Sequence, residues 1–167
     1  RSKPDKACPI AALRRGVWQF LKRSNAMFVF VYGTLKHGYG NHAVLRDAYC
    51  LGAATTVGKY RLYDAGFPVM RWPIHQAYSK LNAKVRGEVY HFTSTEILRR
   101  LDALESEGRM YHRTPISVKL DDGGAMLRTF SYIGDTEFWR HKTRASLYRI
   151  GANGCYEWQP GAERIVA

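Results

Sequence analysis

Apolar residues fall into short runs along this chain, and their spacing switches between two periods. Met27 to Tyr32 is an unbroken apolar stretch of strand length that ends at Gly33, and it predicts a buried strand. Val57 to Tyr63 and Lys84 to Phe92 also read as strands. Gly87 interrupts the second, as a glycine does at a bulge or a barrel bend. From Pro115 to Leu120 the residues Ile116, Val118 and Leu120 alternate inward; Asp121-Asp122-Gly123-Gly124 then supplies a tight hairpin turn, and Met126 to Ile133 is the return strand. Helical spacing occurs in three places. Ile10, Leu13, Val17 and Leu21 follow Pro9, which is tolerated in a first helical turn, although Gly16 weakens the segment. Asn41 to Arg46 predicts a short helix with Asn41 as its cap. Thr93-Ser94-Thr95-Glu96 matches a capping box, after which Ile97, Leu98, Leu101 and Leu104 predict one apolar helix face ending near Glu105 to Gly108.

Many short strands, few helices and no β-α-β rhythm predict an α+β fold: a small mixed β-barrel with flanking helices, not a doubly wound sheet. The expected organisation is a basic arm with an amphipathic helix over residues 1–26, a barrel domain over 27–134, and a tail over 135–167. The tail is expected to pack on the barrel through Trp139, Tyr148, Ile150, Tyr156 and Trp158.

Composition narrows the class. The 167 residues suit one domain with a real core, and 46% apolar with 13% aromatic content argues against disorder. No apolar run approaches the roughly 18–20 residues of a membrane-spanning helix. Cys8, Cys50 and Cys155 are odd in number and widely spaced, so they read as free thiols in a reducing, intracellular compartment, not as a disulfide framework. Six histidines show no metal-ligand spacing, and no metal or cofactor is expected. Net charge is +12, and residues 1–26 carry +6 of it, with seven Lys or Arg against Asp5. That asymmetry suggests a polyanionic neighbour such as RNA or an anionic membrane; the plain alternative is a solvated surface. The Arg-rich, acid-poor start has the composition of a mitochondrial targeting region, so the mitochondrial matrix is expected over the cytoplasm.

Two segments carry candidate chemistry. In Tyr32-Gly33-Thr34-Leu35-Lys36-His37-Gly38 a buried strand runs straight into a glycine turn. Such a turn leaves backbone N–H groups outside any ladder, where a concave set of them can hold a carboxylate, and Gly33 permits close approach. The spacing is not that of a phosphate loop, and an ordinary strand-end turn is the alternative. Further on, Glu105 lies one helical turn beyond Leu101, beside the apolar face and at the negative end of the helix dipole. Both surroundings raise a carboxyl pKa towards the range a general acid/base needs; a solvated C-terminal Glu is the other reading. Asp102 reads as a structural hydrogen-bonding residue. Tyr111 and Arg113 either line a pocket or serve as a core residue and a surface strand residue.

Together these segments resemble the γ-glutamylcyclotransferase superfamily, most of all its γ-glutamylamine cyclotransferase branch. The matching residues are Phe28 to Tyr32 with Gly33-Thr34-Leu35-Lys36, Gly38, Asn41-His42, Gly87-Glu88-Val89-Tyr90, Leu101-Asp102, Glu105, Tyr111 and Arg113. The resemblance implies a small β-barrel in which Tyr32, Gly33, Thr34 and Leu35 bind the α-carboxylate and amino group of a γ-glutamyl substrate, with Tyr111 and Arg113 as further substrate-binding candidates. It implies Glu105 as the catalytic acid/base of an intramolecular aminolysis releasing 5-oxoproline, with no cofactor. One departure is Gly108, where the family often has proline three residues after its glutamate. A second expectation comes from the arm. The fold could serve as a structural subunit of a large ribonucleoprotein such as a mitochondrial ribosome, with residues 1–26 contacting RNA and activity lost.

Overall fold

The computed structural model describes residues 25–73, 80–141 and 146–166. Within it the apolar run at Met27 becomes β1 (Met27–Val31), whose last three residues are buried. β1 pairs antiparallel with β5 (Lys84–Phe92) on one side and parallel with β7 (Met126–Gly134) on the other. β6 (Tyr111–Leu120) pairs antiparallel with β7, and β2 (Tyr49–Thr56) joins β6 to β5. The ring β1-β7-β6-β2-β5 closes through the β1–β5 pairing into a five-stranded mixed barrel. A second sheet is built from β3 (Arg61–Asp64), β4 (Pro68–Arg71), β8 (Ser146–Tyr148) and β10 (Arg164–Val166), in the order β10-β8-β3-β4. α1 (Thr95–Glu105) connects β5 to β6, and α2 (Thr136–Trp139) follows β7.

Several expectations are met with changed detail. The strand expected from Val57 starts only at Arg61, because the chain bends first: Thr56 Oγ1 donates to Gly58 O at 2.7 Å and accepts from Val85 N at 2.9 Å. The strand that precedes this bend, β2, was not anticipated. Its Gly52, Ala53 and Ala54 carry little strand propensity, and the barrel imposes the conformation. The helix cap is Ser94, not Thr93; its Oγ accepts from Glu96 N at 3.2 Å. Glu96 bonds Arg99 and Arg100 in place of closing a capping box. Ile97 and Leu101 are buried, whereas Leu104 is 40% exposed. Asn41 makes no cap bond; the helix there is a single 3-10 turn, His42–Leu45. Cys50 is disulfide-bonded, against the free-thiol expectation, since sequence spacing says nothing about which segments meet in space; Cys155 is free.

In the tail, β9 (Cys155–Glu157) adds in parallel to Lys84–Arg86 of β5. Trp139, Tyr148, Tyr156 and Trp158 are all buried in the common core. No helix among the described residues is long and apolar enough to cross a membrane. Most of the basic arm, with Ile10, Leu13, Val17 and Leu21, lies outside the described residues.

Gly87 sits where β5 changes partner, between Lys84–Arg86 on β9 and Glu88–Phe92 on β1. A Cβ there would come 2.2 Å from Val31 O and 2.7 Å from the Phe30 ring, so the close approach that closes the barrel requires glycine. The register shift lies elsewhere, in β2 between Cys50 and Gly52. Gly87→Ala is expected to destabilise the protein by about 2–3 kcal/mol in denaturant unfolding, the scale of core overpacking. Gly40→Ala, where a Cβ meets nothing within 4 Å, is expected to be near neutral.

Candidate functional site

The end of β1 and the end of α1 converge. Beyond Val31 the chain turns, closed by Lys36 N donating to Gly33 O at 3.0 Å. Asn41 N donates to Thr34 O at 3.0 Å and the Asn41 side-chain amide donates to Thr34 Oγ1 at 2.9 Å, folding the loop back on itself. Gly33 is required by packing: a Cβ would lie 2.6 Å from Pro68 Cγ, at the start of β4. Among the described residues, the N–H groups of Gly33, Thr34 and Leu35 donate no backbone hydrogen bond.

α1 ends at Glu105 because Ser106 takes a left-handed conformation (φ 48°). Gly108 follows at φ 82°, a value closed to proline. The turn returns the chain to Tyr111, whose carbonyl accepts from Gly108 N at 2.9 Å.

Tyr32, Gly33, Thr34, Leu35, Glu105 and Tyr111 line one cavity of about 250 Å³. Arg113 is not among its lining residues. The guanidinium is drawn to Asp102 instead, at 2.6 Å from Oδ2, with the Phe130 ring 5.8 Å away. Asp102 also accepts from Tyr132 OH at 2.6 Å, so it ties the last turns of α1 to the β6–β7 hairpin. Sequence reasoning overlooked Asn41 as a lining residue, together with Ser131, Phe67 and Pro68. A signal existed for Ser131. It is a polar residue at an inward register position of β7, fully buried, donating to Phe30 O at 2.9 Å.

Among the described lining residues Glu105 is the only charged one. Burial pushes its carboxyl up from 4.5 to about 7. Tyr32 is held by two bonds: its hydroxyl donates to Tyr132 O at 2.9 Å and accepts from Met70 N at 3.2 Å. Burial, then the Glu105 charge, pushes its ionisation well above the usual phenol range. Tyr111 is pushed the same way by burial, then by Tyr32 and Glu105. These phenols stay neutral at physiological pH, leaving one group able to exchange a proton there. The site therefore combines unpaired backbone donors, suited to an anion, with a single carboxyl poised near neutrality.

The closed mixed barrel has known counterparts. Residues 29–156 match the family model described as gamma-glutamyl cyclotransferase, AIG2-like, and the chain belongs to that family. It is 42% identical over 97 residues to gamma-glutamylaminecyclotransferase of Homo sapiens, a match covering 55% of this chain and 61% of that protein. A putative gamma-glutamylcyclotransferase of Vibrio cholerae is 40% identical over 88 residues, covering 53% of this chain and 70% of its own length. The crystal structure of an AIG2-like protein from Mus musculus superposes with a TM-score of 0.56 at 26% identity, over 83% of this chain and 99% of that one.

The raised Glu105 pKa has a stability consequence. An acid whose folded pKa exceeds its unfolded value holds more protons when folded, so the wild type loses stability as pH rises from about 4.5 to about 7 and carries the penalty above that. Glu105→Gln, neutral throughout, is expected to match the wild type near pH 4 and to exceed it by about 2–3 kcal/mol at pH 8. Denaturant midpoints at the two pH values check this; a gap independent of pH would mean that the carboxyl is not desolvated.

Proposed function

We propose that the protein releases 5-oxoproline from γ-glutamyl amines or peptides by intramolecular aminolysis. One observation carries this reading: Gly33, Thr34 and Leu35, whose N–H groups donate no backbone hydrogen bond among the described residues, line the same cavity as a carboxyl whose pKa is pushed up to about 7. The nucleophile of this reaction, the substrate's own α-amine, is already tethered to the γ-carbonyl that it attacks. The protein's task is then to fold the γ-glutamyl chain into an attack conformer and to relay a proton from the attacking to the departing nitrogen. The loop N–H groups receive the α-carboxylate and so hold the substrate in place. Ionised Glu105 takes one proton from the α-ammonium and the freed amine attacks the γ-carbonyl; Glu105 returns that proton to the departing nitrogen as its bond to the γ-carbon breaks, and the ring nitrogen gives up its second proton as the lactam forms, so that the amine leaves as an ammonium ion. Tyr32 and Tyr111, neutral and buried, shape the wall around the ring being formed.

Glu105 must be ionised to begin the cycle. Release of 5-oxoproline from a panel of γ-glutamyl amines is therefore expected to rise with pH through about 7. Glu105→Gln is expected to lower kcat by about a hundredfold or more. A variant retaining near-full turnover would reassign the proton carrier, and a panel giving no product would remove the reading.

A further inference from the structure

Two charged residues are buried at the loop without lining the cavity. Lys36 is 7% exposed and Glu88 is 8% exposed. Lys36 Nζ donates to the Trp158 carbonyl at 2.6 Å, with its ammonium 5.3 Å from the Tyr39 ring centroid and 5.9 Å from that of Trp158. Glu88 Oε2 accepts both the His37 N–H and the Tyr90 hydroxyl, each at 2.8 Å. Burying charge is costly, and it is kept where a specific arrangement holds it. Burial pushes the Lys36 ammonium down from its usual range, while the charges of Glu88 and Glu157 oppose that shift.

The loop needs such support. It contains Gly33, Gly38 at φ 77° and Gly40, and it belongs to no strand or α-helix. A backbone this rich in glycine has many conformations to lose. Two positions just after its turn are held by residues from elsewhere in the chain: Lys36 through its side chain and His37 through its N–H. Both anchors come from β5 or the C-terminal segment, outside the loop itself. We infer that Lys36 and Glu88 are positioning residues, fixing the loop from behind so that the N–H groups of Gly33, Thr34 and Leu35 converge on the cavity. For its kinetic consequence this rests on the γ-glutamyl reading; for its structural consequence it does not.

Three variants of the full chain test it. Glu88→Gln retains one acceptor oxygen for both bonds, Glu88→Ala removes it, and Lys36→Met retains the side-chain length without the donor. In amide NMR spectra, the resonances of Gly33, Thr34 and Leu35 are expected to move in Glu88→Ala and Lys36→Met, while those of the Asp121–Gly124 turn stay in place. Glu88→Gln is expected to return the loop resonances towards wild type. With a γ-glutamyl amine, KM is expected to rise about tenfold or more in Glu88→Ala and Lys36→Met. Over the same variants kcat is expected to fall by less than about threefold, and the rise of activity through about pH 7 to stay where it was. Unmoved loop resonances with unchanged KM and only a lowered Tm would overturn the proposal and leave two purely structural residues. If the wild type releases no 5-oxoproline, the proposed function fails, and the loop resonances, which need no turnover, still decide this point. Should Glu88→Ala fail to fold, Lys36→Met carries the same readouts.

Discussion

The pairing of β1 with β5 is the contact on which the rest of the structure depends. It closes the ring, and it does so only because Gly87 lets the Val31 carbonyl and Phe30 ring press against the β5 backbone. Once closed, the barrel delivers the end of β1 and the start of the glycine loop to a fixed place. The same strand supplies Glu88, one residue beyond Gly87, to hold that loop at His37. On the other side, β7 and β6 fix the floor through Ser131, Tyr132 and Tyr111. A shift of β1 against β5 would therefore disturb the loop, its anchor and the cavity wall together.

The position of Glu105 sets stability against chemistry. A desolvated carboxyl weakens the fold above neutral pH, yet desolvation is what brings its pKa to the range where proton transfer is efficient in both directions. The surrounding groups do not relieve that cost. Three tyrosines line the cavity and no cation does among the described residues. The Arg113 guanidinium is committed to Asp102. Arg113 thus serves the site at one remove, by bracing the helix that carries Glu105 and the tyrosine opposite it.

The strongly apolar or strongly punctuated parts of the chain were legible in the sequence. Met27–Val31 and Lys84–Phe92 are dense in branched and aromatic residues, and the Asp121–Gly124 turn has the residues a hairpin demands. The barrel class followed from their number and order. β2 was not legible because small residues satisfy a strand only when neighbours on both sides pair with it. Three-residue strands such as β8, β9 and β10 carry too little pattern to be read alone. In the site, a strand entering a glycine turn and an acid beside an apolar helix face made the loop and Glu105 candidates, and the order of the motifs that resemble the family singled them out. Asn41, Phe67 and Pro68 did not stand out as cavity residues, since their place on the cavity is created by tertiary folding. Arg113 stayed open between pocket and strand surface for the same reason: its partner, Asp102, lies eleven residues earlier, on another element.

The bond from Lys36 to the Trp158 carbonyl joins positions 122 residues apart. A growing chain emerges from its amino end, so every strand of the closed ring exists before this acceptor has been synthesised. Within this domain the glycine loop is thus made before the strands that enclose it, and its bond to Trp158 forms only after them. Contacts of such long separation are slow to form, because a large span of chain must be ordered before they return any free energy. A chain cut short before Trp158 would have every strand of the closed ring without that tether.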